Sequence, residues 1–402
     1  MTRYSPLDAN IARDPYPAYA WLRANAPVYY NEAEKWWALS RYEDVSSALK
    51  DHETYDLSRG AALDSDKVDH ELPPMLVMLD PPHHTRLRKL VTKHFSPKEV
   101  SQFAAVIRSN AQEMIDRLAG AGDIDIVRDF AAPVCERTTL ELLEIPAEDR
   151  SYFGSRLVTS FTRDPKKPGG STEADAAVGD MAAYLQQHLA VVTETETSRL
   201  GKVLRAGLES GEMQGDEAFG MLLLLTLAGP EDSVRTFANC VACLGRHVDQ
   251  RRRVVADPTL VTPAINEILR FAPTTQFLRR TTSREVSLHG QTIPQGACVL
   301  LLVASANHDE RMFEDPTRFD ITRQNAKLNL AFSTGTHACL GIHIAKLQLA
   351  ILLEEFLAAF PNYELDFDRA THVYALNTAG FQELPARLVR QENFSRGAVH
   401  AN

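Results

Sequence analysis

Cysteine is scarce in this chain. Five thiols, Cys135, Cys240, Cys243, Cys298 and Cys339, are an odd number spread over 402 residues. That pattern excludes a disulfide framework and fits a reducing cytoplasm. Long apolar runs are missing too. The most apolar stretch, AFGMLLLLTLAG from Ala218 to Gly229, runs into Glu231 and Asp232 and is too short to cross a bilayer. The opening residues, MTRYSPLDANIARDPYPAYAWLRANAP, hold no apolar core between their charges. Neither a secretion signal nor a membrane anchor is expected there. Positive charge is not in excess either. A net charge of −10 argues against a nucleic-acid partner held by the whole surface, while leaving room for a local basic patch. Internal repeats and low-complexity linkers are absent. The remaining composition, 44% hydrophobic and 24% charged, is that of a soluble globular protein.

Helical periodicity dominates what is present. VSQFAAVIRSNAQEMIDRLAGAG sets Phe103, Val106, Ile107, Met114, Ile115 and Leu118 on one stripe and ends in glycine, as an amphipathic helix should. TPAINEILRFAP and HIAKLQLAILLEEFLAAFP read the same way. Strand signals fall in two groups, APVYYNEAEKWWALSRY early and REVSLHGQTIPQGACVLLLVASA late, the second with a glycine-containing turn between alternating runs. Loops are expected from Thr162 to Thr172 and from Arg59 to Pro74. Length alone suggests two or three domains, yet nothing marks a boundary. The expectation is one mainly α body over residues 1–402, with a small strand-rich corner.

One short stretch carries chemistry. FSTGTHACLG, Phe332 to Gly341, places Cys339 among small residues just ahead of a long apolar helix. A thiolate is the ligand form of cysteine, and backbone N–H groups or a helix N-terminus favour it. Gly335 and Gly341 permit tight turns and the approach of something flat, and Phe332 can cover the sulfur. One thiol with no C-x-x-C partner nearby does not make a tetrahedral zinc site. A haem iron, by contrast, needs a single strong axial ligand. A buried structural cysteine in a glycine-rich turn is the alternative.

Two further stretches decide between them. NEILRF sets Glu267 and Arg270 three apart as E-x-x-R, and DPTRFD holds Pro316, Arg318 and Phe319. E-x-x-R, then P-x-R-F, then F-x-x-G-x-H-x-C-x-G, in that order, resemble the cytochrome P450 family. The likeness extends through MLDPPHHTRLRKLV (Met78 to Val91) and the helix around LAGPED, and so over nearly the whole chain. The resemblance implies the fold of that family and a haem b (iron protoporphyrin IX) cofactor with Cys339 as the iron's thiolate. Glu267, Arg270 and Arg318 look like the family's buried ion network beneath the cysteine loop. His84 and Arg88, i and i+4 on one helical face, look like holders of a haem propionate. Arg280 and His337 resemble the other propionate donors; between Arg279 and Arg280 the doublet leaves the choice open, with register favouring Arg280.

On the oxygen-binding side the chain departs from the family. The usual A-G-x-(D/E)-T reads here Ala228-Gly229-Pro230-Glu231-Asp232-Ser233. Glu231 stands in the acid's place, but Asp232 occupies that of the threonine, and the hydroxyl of Ser233 lies about 100° further round a helix. Pro230 removes an N–H from that turn and should reinforce a kink. Asp232 can relay protons, bind a polar or cationic part of the substrate, or signal peroxide-driven or non-hydroxylating chemistry. Hydroxylation or oxidative demethylation is the leading reading.

The resemblance also places the substrate pocket. Leu224, Leu227 and Ala228 should face the haem, with Thr275 and Phe277 from PTTQFL and Asn377 from LNTAGF as further walls. These mostly apolar residues imply a small apolar or aromatic organic substrate oxidised with O2. The chain holds no flavin or iron–sulfur segment, and Cys240 and Cys243 read as packing. Electrons from NAD(P)H are therefore expected through an external ferredoxin reductase and ferredoxin, docking near Arg86, Lys89, Lys93 and Lys346. A haem-binding sensor or carrier, or a haem-free scaffold, are the readings from other classes.

Overall fold

Apolar side chains recur every three or four positions along most of the chain. The computed structural model, which describes residues 4–61, 63, 73–118, 120–161, 172–373 and 377–389, folds these stretches as helices. The stripe beginning at Phe103 becomes the helix Ala104–Leu118, with Ile107, Ala111, Met114, Ile115 and Leu118 buried; Phe103 itself ends a short 3₁₀ turn. It packs along the helix Ile342–Ala359. That helix is apolar on nearly every side, as one inside a core must be, and buries Leu349, Leu352, Leu353 and Phe356. Its one strongly charged pair faces Arg108, which bonds Glu355 and reaches Glu354 at 3.2 Å.

The helix Pro230–Arg246 threads the same core, with Phe237, Cys240, Val241 and Leu244 fully buried. Burial pushes the Cys240 thiol far up and that of Cys243 to about 12, so both are inert packing groups. Ahead of it lies the helix Gly215–Ala228. The two meet at Gly229, and Pro230 is the first residue of the second, where its missing N–H costs nothing. The interruption expected from Pro230 is confined to Gly229, which keeps helical dihedrals (φ −70°, ψ −56°) between the two helices. Gly229 is required there, because a Cβ would lie 2.8 Å from the Leu225 carbonyl oxygen and 3.0 Å from the Thr139 hydroxyl.

Strands of both groups share one five-stranded sheet, while the late group's glycine-turn hairpin, Val286–Leu288 with Gln291–Ile293, forms a two-stranded sheet of its own. The order in the larger sheet is Val28–Asn31, Trp36–Leu39, Cys298–Leu301, Leu278–Thr282 and Tyr55–Asp56. Trp36–Leu39 runs parallel to Cys298–Leu301, with Trp37 opposite Val299, and every other pairing is antiparallel. Leu278–Thr282 was not legible as a strand, because Arg279 and Arg280 interrupt its apolar pattern; burial on both sides by the sheet and its neighbours decides it. A three-stranded sheet joins Asp123–Asp125, Pro385–Arg387 and Glu364–Leu365. Of the expected loops, 162–171 lies outside the described residues, and Thr172 already opens the helix Thr172–Glu194. The other loop is described only at 59–61, 63, 73 and 74. Among the described residues no helix is long and apolar enough to cross a membrane.

Candidate active site

The cysteine loop is held from three sides. Gly335 turns at φ +73°, and a Cβ there would lie 2.7 Å from the Leu49 carbonyl oxygen and 2.8 Å from Lys50 Cα. The loop thus seats directly on the end of the helix Tyr42–Lys50, a fit only glycine allows. The Cys339 N–H donates to the Phe332 carbonyl at 2.9 Å, closing the loop on itself. Gly341 then begins the helix Ile342–Ala359 and points its N–H at the sulfur.

Cys339 is accessible, yet burial dominates its proton affinity and raises it. The Gly341 N–H lowers it, Asp232 raises it and Arg88 lowers it. Access and crowding coexist where a sulfur lines an internal hollow rather than a convex surface. Asp232 shows the same combination. It is accessible, while burial pushes its carboxyl up to about 6 against the opposing charge of Arg235. The sulfur and this carboxyl feel one another's charge, so they lie within electrostatic reach of each other. Ala228 and Gly229 are accessible beside Asp232, and Leu224 and Leu227 are half-buried on the turns before them.

A cluster of donors flanks the sulfur. On the helix His83–Thr92, His84 is buried and neither ring nitrogen has a partner. Burial, helped by the charges of His337 and Arg88, pulls it down to about 4. Its ring centroid lies 4.2 Å from that of His337, whose Nε2 is also unpartnered and 3.6 Å from Asp80 Oδ1. Arg88 is half-buried, and no carboxylate among the described residues pairs with it; burial lowers its pKa and the Cys339 charge raises it. Strand alternation sends Arg279 and Arg280 to opposite faces. Arg279 is spent on the Arg59 carbonyl and on Cys298 Sγ at 3.3 Å. Arg280 donates to the Arg279 carbonyl at 2.7 Å; burial pulls it down to about 10, opposed by Asp80. Arg280, not Arg279, therefore joins the cluster. Asp80 was not singled out in the sequence, although it lies one helical turn ahead of His84. Burial would raise its carboxyl, but His337, the Leu57 N–H at 2.7 Å and Arg280 hold it below its ordinary value.

Three expected roles are corrected. Glu267 and Arg270 do form a fully buried pair, at 2.7 and 2.8 Å. Its third member is Arg323, 3.2 Å from Glu267 Oε1, and not Arg318. The Arg318 guanidinium is 67% exposed and lies 3.7 Å from Asp320; only its carbonyl enters the network, accepting from Arg270 and Arg323. Phe277 is not a pocket wall. It is 1% exposed in a separate core with Tyr4, Tyr19, Leu22 and Trp36. Ser233 is buried and its hydroxyl donates back to the Gly229 carbonyl at 3.1 Å, so it does not offer the missing threonine's proton to the hollow. Thr275 is half-buried and bridged to Thr378, and the Asn377 carbonyl accepts from the Gln276 N–H at 2.8 Å. Glu231 is half-buried, and its charge supports Arg235.

The expected basic patch is thinner than the sequence suggests. Arg86 is drawn into a cluster with Glu217, which His83 also contacts. Lys346 is half-buried and donates to Asn266 Oδ1 at 3.1 Å. Lys89 and Lys93 remain exposed. A groove beside them is lined by Thr85, Arg88, Lys89 and Thr92 from the helix and Gly335 and Thr336 from the loop.

Comparison with known proteins agrees with this geometry. Residues 236–373 match the family model described as Cytochrome P450. The chain is 33% identical over 388 residues to Vitamin D(3) 25-hydroxylase of Pseudonocardia autotrophica, covering 94% of each. It is 33% identical over 368 residues to cytochrome P450 130 of Mycobacterium tuberculosis, covering 88% of this chain and 89% of that one. Among solved structures, cytochrome P450 CYP109Q5 from Chondromyces apiculatus superposes with a TM-score of 0.87 at 27% identity, covering 96% of this chain and 98% of the other. With an accessible cysteine at the head of a core helix, a fully buried E-x-x-R pair and a relative 33% identical over 94% of each chain, the chain belongs to the cytochrome P450 family, the haem-dependent monooxygenases.

Proposed function

We propose that this protein inserts one oxygen atom from O2 into a small apolar or aromatic organic substrate, by hydroxylation or oxidative demethylation, acting as one haem-thiolate domain over residues 1–402. The observation that carries this reading is an accessible Cys339 that feels the charges of Arg88 and of Asp232, itself accessible beside Ala228; it supports a hollow between the sulfur and that turn.

The residues fit haem b. Two propionates need donors, and the unpartnered nitrogens of His84 and the Nε2 of His337, with Arg88 and Arg280, supply a cationic donor cluster on which the carboxylate of Asp80 acts. A buried donor without a partner costs about 1–3 kcal/mol, so a carboxylate ligand offsets a real penalty. When bound, haem supplies the iron on which dioxygen is activated. The Gly341 N–H tempers the sulfur's charge, and Phe332 lies against the core at the loop's start. Asp232 holds a proton near pH 6 and can pass it within the hollow. Glu231 adds its charge on the same turn. Leu224, Leu227 and Ala228, with Thr275 and Asn377, exclude water from an apolar guest.

Electrons are proposed to come from NAD(P)H through a ferredoxin reductase and an acidic ferredoxin. Lys89, which lines a groove with Gly335 and Thr336 of the cysteine loop, and Lys93 four residues further on, both exposed, give that partner a place to dock. A second reading rests on the distal turn. With Asp232 accessible and Ser233 tied back, peroxide can serve as the oxidant in place of O2 and electrons.

The test is spectroscopic. Reduced protein under carbon monoxide should absorb near the thiolate-haem position, about 450 nm, and Cys339→Ala should lose that band. Purified protein that stays colourless with hemin refutes the reading. Comparing product formed with ferredoxin and NAD(P)H against product formed with peroxide separates the two oxidant routes.

A further inference from the structure

Two proposed pocket walls, residues 273–276 and the segment after Asn377, are tied to one turn of the helix Pro230–Arg246. Thr236 shares a 2.8 Å hydroxyl contact with Thr274, whose carbonyl accepts the Ala379 N–H at 2.8 Å. Its neighbour Arg235 reaches the other wall directly. Nη1 donates to the Phe381 carbonyl at 2.6 Å and Nη2 to Gln382 Oε1 at 3.3 Å. The fit is close, because a Cβ on Gly380 would lie 3.0 Å from Arg235 Cβ.

A cation that is only 6% exposed needs compensation. Burial lowers the pKa of Arg235, and the charges of Glu231, Asp232 and Asp125 raise it. The planar fork matters as well as the charge. A guanidinium can bond two acceptors in fixed directions, whereas an ammonium is a point donor on a flexible stem. Arg235 thus connects the acidic turn that faces the hollow to the backbone of the wall opposite Thr275.

We propose that Arg235 is a positioning residue that holds the 378–382 segment against the pocket and thereby sets the size of substrate admitted, without touching the substrate itself. This rests on the haem-pocket reading above.

The test uses the haem-loaded full chain and a series of 1-alkylimidazoles from methyl to octyl. The imidazole nitrogen binds iron and shifts the Soret band, while the tail reports the space around it. In Arg235→Gln the ratio of octyl to methyl dissociation constants should change tenfold or more, with the band near 450 nm retained. Arg235→Lys should recover part of the wild-type ratio. Should Arg235→Gln not fold, Gly380→Ala presses on the same contact from the other side and should produce the same change. A ratio within twofold of wild type in the variants that fold overturns the positioning role. Wild-type protein that shows no 450 nm band instead overturns the haem reading on which it stands.

Discussion

Replacing Arg323 and replacing Arg318 should have very unequal consequences. Arg323 is 10% exposed and donates to Glu267 Oε1 at 3.2 Å, to the Glu314 carbonyl at 2.5 Å, to the Asp315 carbonyl at 3.1 Å and to the Arg318 carbonyl at 2.9 Å. Truncation to alanine leaves Glu267, which has no exposure, with Arg270 as its sole cationic neighbour in this network. Removing one partner of a buried ion pair costs about 3–5 kcal/mol. Arg270 still neutralises Glu267, so the lower end, about 3 kcal/mol, is expected. Arg318→Ala removes a 67% exposed guanidinium 3.7 Å from Asp320, an interaction worth about 0–1 kcal/mol. With roughly 2 cal/mol/K of unfolding entropy per residue, 402 residues convert about 3 kcal/mol into a fall of about 3–4 °C in Tm. Arg318→Ala should move Tm by less than about 1 °C. Thermal unfolding followed by circular dichroism, with haem content tracked at the Soret band, measures both. Equal losses in the two variants, or no loss in Arg323→Ala, would refute the network drawn from the structure.

Gly335→Ala forces a Cβ to 2.7 Å from the Leu49 carbonyl at φ +73°. The conformation alone costs about 1–2 kcal/mol, and the clash adds to it; haem retention after gel filtration should fall while helical circular dichroism persists. Asp232 is pushed up to about 6 by burial, so folding disfavours its charged form. Its contribution to stability therefore declines as pH rises from 3.8 through about 6. Asp232→Asn should raise Tm relative to wild type above pH 6 but not below pH 4, and should erase any inflection near pH 6 in product formed per electron consumed. Glu217 works in the opposite sense. Burial raises its carboxyl, but Arg86, the Gln214 N–H and His83 outweigh that and hold it at about 2. Its stabilisation is present above pH 4.5 and is lost as pH falls toward 2, so Glu217→Gln should flatten the acid limb of a Tm-against-pH curve.

The cysteine loop and the main helices were legible because each depends on a few neighbouring positions. F-x-x-G-x-H-x-C-x-G places a thiol before a helix whatever the rest of the chain does, and the stripe Ile107, Met114, Ile115, Leu118 specifies a buried face by period alone. The E-x-x-R pair is likewise local, its members separated by one helical turn. The third partner of that pair is 56 residues from Glu267 in sequence, and no spacing rule distinguishes Arg323 from Arg318. The same limit hid Asp80 and sent Phe277 to the pocket instead of the core around Tyr4 and Trp36.

Composition, periodicity and three short motifs in order thus determined the class of fold and singled out the thiol, because those follow from short-range geometry and from the chemistry of single residues. Which arginine completes the ion network, which of two adjacent arginines joins His84, His337 and Asp80, and where the Ser233 hydroxyl points were decided only in three dimensions. Each depends on which distant backbone carbonyl or carboxylate reaches hydrogen-bond range once the core has closed, and on the cost of burying any polar group that finds none.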